Sequence, residues 1–83
     1  HNIVAGMIGT FYRAPSPNQP AFVSIGDTVE EGQTLAIVEA MKLLNPIESH
    51  RAGRIAEILV PDGAAVSTDT ALFVIEDLET TDV

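Results

Sequence analysis

Cysteine is absent from this 83-residue chain, and lysine occurs once, at Lys42. Without cysteine there is neither a disulfide framework nor a thiolate metal site, which permits a reducing compartment without requiring one. Cations are scarce: 4 basic side chains stand against 12 acidic ones, a net charge of −8. That imbalance opposes binding to phosphate backbones and anionic lipid surfaces, so proteins or small molecules are the expected partners, not nucleic acid or membrane. No apolar run approaches the roughly 18 residues of a membrane-spanning helix. No segment keeps a 3.6-residue apolar period for three turns, so no helix of consequence is expected.

The usual signatures of catalysis are also missing. Neither His1 nor His50 has a cysteine or a second nearby histidine to complete a metal site. Nothing matches a serine nucleophile elbow, a Walker loop or a dinucleotide fingerprint. Gly6 and Gly9 in Ala5-Gly-Met-Ile-Gly9 precede no helix pattern, so they read as turn glycines ahead of a strand and not as an anion site. The adjacent Glu30 and Glu31, followed by Gly32, read as a solvated turn. The chain is therefore expected to be neither an enzyme in its own right nor a metal protein.

What is present is β-structure. Eight valines and eight isoleucines fall in short runs, punctuated by turn signals at Ile25-Gly26-Asp27, Glu31-Gly32-Gln33, Arg51-Ala52-Gly53 and Pro61-Asp62-Gly63. An all-β single domain follows, with a thin core, since a chain this short buries only about 60 to 65 % of its surface. The chain opens at His1, so it reads as a fragment or processed product. Residues from Asp77 onward are acidic and polar, so a frayed tail is expected there, with the domain proper at 1–77 and the tail at 78–83.

The chain also repeats itself. Val23, Gly26, Val29, Leu35 and Glu39 recur 37 residues later as Val60, Gly63, Val66, Leu72 and Glu76. Gly9 corresponds instead to Gly53, 44 residues on, so the first half carries seven extra residues between Gly9 and Val23. The segment there holds Pro15, Pro17 and Pro20, which fix φ and cannot donate to a sheet ladder, so a stiff protruding loop is predicted at about 14–21. Lys42 corresponds to Glu79, just past the last strand. If a pseudo-twofold axis crosses the strands, Lys42 sits on a hairpin tip at the end of the domain opposite that turn.

An ordinary solvated surface lysine would explain most lysines. Here the residue is the sole one, its flanks Met41 and Leu43 are apolar, and it falls between the strand 34–39 and the run Leu43 to Ser49. An ammonium in water titrates near 10.4 and is less than about 0.1 % neutral at pH 7, so an external enzyme would have to modify it.

The residues Glu39-Ala-Met-Lys42-Leu-Leu-Asn45 closely resemble the biotin attachment motif of biotin carboxyl carrier proteins, and the similarity extends over nearly the whole chain. Ile8-Gly-Thr-Phe-Tyr-Arg13 followed by Ala14-Pro-Ser-Pro17 resembles the strand and thumb of the carrier subunit of multisubunit acetyl-CoA carboxylase. The resemblance implies a flattened β-barrel or sandwich of two four-stranded antiparallel sheets with quasi-twofold symmetry. It implies biotin joined covalently to Lys42 by a biotin protein ligase, with Met41, Leu43 and Glu39 serving ligase recognition. It further implies that a carboxyl group is carried from biotin carboxylase to a carboxyltransferase for malonyl-CoA formation in fatty acid biosynthesis, in bacterial cytoplasm or plastid stroma, by a domain that is monomeric on its own. Ala14 has no hydroxyl to offer biotin, so thumb contacts fall to backbone groups or to Ser16 and Asn18. Three alternatives remain: the biotinyl domain of another biotin-dependent carboxylase or decarboxylase, a lipoyl carrier, whose motif normally reads Asp-Lys-Ala, and an unmodified adaptor that docks partners through the hairpin and proline loop.

Overall fold

A computed structural model describes residues 1–78. Eight strands follow in order: β1 (Asn2–Val4), β2 (Gly9–Tyr12), β3 (Thr28–Val29), β4 (Thr34–Ala40), β5 (Leu43–Glu48), β6 (Gly53–Ile58), β7 (Ala65–Val66) and β8 (Ala71–Glu76). They form two four-stranded antiparallel sheets, one ordered β1-β8-β6-β3 and the other β5-β4-β2-β7. This is the all-β structure expected from the strand and turn pattern, in the two-sheet arrangement that the resemblance implies.

The core lies between the sheets. Phe11 of β2 and Phe73 of β8 meet edge to face across it, with ring centroids 5.9 Å apart at 62°, a geometry worth about 0.5–1.5 kcal/mol beyond the area it buries. Around them sit Leu35 and Val38 of β4, Ile55 of β6 and Leu72 and Ile75 of β8. Strict alternation would send Leu35 or Ala36 outward, yet both are buried. A bulge at Leu35 resolves this, because Thr34 pairs with Glu48 and Ala36 with Ile47, leaving Leu35 as the extra residue. Leu72 is passed over in the same way between Ala71 and Phe73 opposite β1.

The halves repeat down to single hydrogen bonds. Gly26 N donates to Ile55 O and Gly63 N to Phe11 O, both at 2.7 Å; Ile55 N donates to Asp27 O and Phe11 N to Ala64 O, at 2.9 and 2.8 Å. Gly26, Gly32 and Gly63 have positive φ, as turn glycines should. Gly9 and Gly53 do not fit the turn role expected of them. Each lies at the start of a strand, where a Cβ would come within 2.3 Å of Glu39 O or 2.5 Å of Glu76 O. They are glycines because two strands cross too closely for a side chain.

The proline-rich segment lies between β2 and β3. Phe22 N donates to Arg13 O at 2.8 Å, closing a loop of residues 14–21 at its base. Arg13 N donates to Asp62 Oδ1 at 2.7 Å and Arg13 Nη2 to Val23 O at 3.1 Å, so the base is tied to both halves.

The C-terminal expectation divides. Glu79, the counterpart of Lys42, and most of the 78–83 tail lie outside the described residues. Asp77, expected to fray, accepts instead from the Arg51 guanidinium and lies 3.6 Å from His1 Nε2.

Candidate functional site

Strands β4 and β5 are joined by only two residues, Met41 and Lys42, since Ala40 pairs with Leu43. Both turn residues have positive φ, 53° and 68°. This is the signature of a type I′ turn, whose twist matches that of the strands it joins but which usually employs Asn-Gly. Asn45 braces the hairpin from within, its amide donating to Val38 O at 3.2 Å and Leu43 O at 3.3 Å. Pro46 sits in the middle of β5, tolerated because β5 is a sheet edge.

Lys42 is exposed and makes no ion pair or hydrogen bond among the described residues. Met41 beside it is 94 % exposed, and Leu43 and Leu44 are 65 % and 60 % exposed. The tip lies at one end of the barrel. Strand β1 runs alongside β8 towards Ala71 and ends beside Thr70, and only Gly6, Met7 and Ile8 then separate Ala5 from Gly9, next to the hairpin. The start of β8 therefore shares the end that carries Lys42, and its finish, with Asp77, Arg51 and His1, lies at the other.

Below the tip, thumb and sheet enclose a cleft of about 480 Å³, lined on the thumb side by Ala14, Pro15, Ser16 and Pro17 and on the sheet side by Tyr12, Ile37 and Leu44, with Asp62 at its wall. Of the thumb residues singled out from sequence, Ser16 lines this cleft and Asn18 does not. Glu39 pairs with Thr10 and Leu44 on the outer face of the sheet, one step from Tyr12. The Glu39 carboxylate pushes the Tyr12 phenol above its ordinary pKa of 10, aided by partial burial, by a hydrogen bond to the same carboxylate and by the charge of Asp62. Tyr12, Ile37, Leu44 and Asp62 escaped the sequence reading as site residues. Only strand pairing brings them together, although the alternation of β2 already turned Tyr12 away from buried Phe11.

A small two-sheet barrel that holds one unpaired lysine on a strained two-residue turn belongs to the class of domains that present a group for attachment. The chain belongs to the Biotin_lipoyl family, described as biotin-requiring enzyme, which matches residues 1–75. Among curated relatives, it is 56 % identical over 69 residues to the chloroplastic biotin carboxyl carrier protein of acetyl-CoA carboxylase 2 of Arabidopsis thaliana, covering 83 % of this chain and 27 % of that protein. It is 51 % identical over 76 residues to the biotin carboxyl carrier protein of acetyl-CoA carboxylase of Haemophilus influenzae, covering 92 % of this chain and 49 % of that one. The chain thus spans between about a quarter and a half of these relatives. A solved structure, the crystal structure of the Kluyveromyces lactis urea carboxylase, superposes with a TM-score of 0.75 at 25 % identity, over 92 % of this chain and 6 % of that one.

Proposed function

We propose that this chain is the biotin carboxyl carrier domain of an acetyl-CoA carboxylase, occupying 1–77, with biotin in amide linkage to Lys42. The observation that carries the reading is the turn itself: one exposed, unpaired lysine held on left-handed backbone between apolar neighbours. The names of the relatives support it. Bound biotin supplies a ring that takes up and gives up a carboxyl group.

The chain's own residues do the presenting. Lys42 Nζ is the acyl acceptor, and a biotin protein ligase reads Met41, Leu43 and Glu39 around it. Asn45 keeps the hairpin rigid, so that the arm, and not the turn, provides the reach. The cleft fits a small ring in volume and lining, being largely apolar with polar groups from Tyr12, Arg13, Ser16, Gln19 and Asp62. Leu44, two residues beyond Lys42, forms part of its wall, so an arm on Lys42 can fold back to Ser16; Asn18 would contribute only by turning inward. Tethering gives an effective concentration of the order of millimolar at each partner site. Those partners are a biotin carboxylase and a carboxyltransferase, in bacterial cytoplasm or plastid stroma, and the isolated domain is a monomer that catalyses nothing alone.

Co-expression with a biotin protein ligase, followed by intact-mass measurement, tests this. One biotinyl group is expected on the wild-type chain and none on Lys42→Arg, with unchanged thermal unfolding because the side chain is exposed. A gain matching lipoate after co-expression with a lipoate ligase, and none with the biotin enzyme, would refute the proposal.

A further inference from the structure

We infer that Ile8 belongs to the surface gripped by the enzyme that acylates Lys42, so that recognition extends beyond the hairpin onto the segment leading into β2. The inference rests on the reading of Lys42 as biotin acceptor. Ile8 is 74 % exposed, which among the large apolar side chains described is exceeded only by Met41. Its place follows from register. Thr10 faces Glu39 and Gly9 lies pressed on the Glu39 carbonyl. Each step back along β2 is a step forward along β4, so Ile8 comes level with the turn. The segment is fixed on both sides, by Gly6 N donating to Thr68 O at 2.9 Å and by the pairing of Gly9 with Val66.

The internal repeat supplies the control. Ile8 corresponds to Ala52 as Gly9 corresponds to Gly53, and both glycines pass against a neighbour's carbonyl in the same manner. At the end without the lysine, a methyl group suffices in a position that is likewise exposed. The fold therefore has no need of a large side chain at position 8. A lone exposed isoleucine is ordinary, but Ile8 lies level with Met41 at a tip where Leu43 and Leu44 are also exposed, and a cluster of that kind points to a surface that is covered in use.

The acylating enzyme is the partner that must cover it. Amide formation requires the Lys42 nitrogen and the activated carboxyl carbon to come within about 3–3.5 Å, so that enzyme closes on the turn itself. A specific interface occupies about 800 Å² on each side, and neighbouring strands lie only about 5 Å apart, which places Ile8 inside the footprint. Partners met after acylation engage the far end of a long arm and have no such obligation.

Wild-type chain and the variants Ile8→Ala, Ile8→Glu and Ile25→Glu would be incubated with a biotin protein ligase, biotin and ATP. Incorporation is followed by intact mass across a range of chain concentrations, with thermal unfolding measured in parallel. Ile25 is 63 % exposed but lines a separate notch with Leu59 and Pro61. The expected result is a KM raised about tenfold in Ile8→Glu and a few-fold in Ile8→Ala, at nearly constant kcat, with unfolding unchanged and Ile25→Glu behaving as wild type. Unchanged KM in both Ile8 variants overturns the inference and leaves the role of Lys42 standing. An equal rise in Ile25→Glu also overturns it, by showing a mere effect of added charge. If Ile8→Glu does not fold, Ile8→Ala decides alone, since alanine is what the other half tolerates. A wild-type chain that takes no biotin sinks the reading of Lys42 itself.

Discussion

Met41 and Lys42 each hold a backbone conformation that costs an L-residue about 1–2 kcal/mol. Glycine at position 41 would remove that cost and lose about 0.5–1 kcal/mol through the greater freedom of the unfolded chain. Met41→Gly is therefore expected to leave stability unchanged or raise it by up to about 1.5 kcal/mol, with each kcal/mol gained raising Tm by about 4–8 °C for a domain of this size. Biotin incorporation should slow in the same variant; a fall in Tm would show that the methionine sits there without strain. Strain retained beside a functional group where a relaxed alternative exists marks a trade of stability for function. In the sequence Lys42 stands out by its apolar neighbours Met41 and Leu43. The left-handed backbone does not, because Met-Lys carries none of the turn chemistry that Asn-Gly would have shown.

The thumb is the element most fully legible in advance. Two repeat offsets and three prolines mark it in the sequence, and a hydrogen bond from Phe22 N to Arg13 O joins its two ends. Since the second half manages its equivalent connection with seven fewer residues, deletion of Ser16 to Gln19 should leave a single cooperative urea transition, shifted by about 1 kcal/mol or less. Loss of cooperativity would mean that the thumb is part of the core. The other wall of the cleft was not legible. Ile37, Leu44 and Asp62 reach it through the pairing of β2, β4 and β5 and through the Asp62 contact to Arg13, across 49 residues of sequence. Hydrophobic patterning fixes which face a strand buries, not which strands become neighbours.

Across the whole molecule, the repeat foretold two similar halves, and the paired bulges at Leu35 and Leu72 show how far the likeness goes. In the sequence the close-approach glycines Gly9 and Gly53 look like turn residues, because both roles select the same amino acid. Gly9→Ala and Gly53→Ala should lower stability by similar amounts, about 1–3 kcal/mol each in urea unfolding, although only Gly9 lies near Lys42; a much smaller cost at Gly53 would show that the second half yields where the first does not. The outer edge of the hairpin carries a last consequence. Counting from the two-residue turn, Pro46 faces Ile37 in a pair that exchanges no backbone hydrogen bonds, so its ring occupies a position from which an N–H would otherwise point away from β4. The strand that flanks Lys42 thus offers a broken row of donors to any chain that might lie against it. Recognition by sheet extension is thereby disfavoured along this edge, which leaves the side chains of the tip as the more open surface.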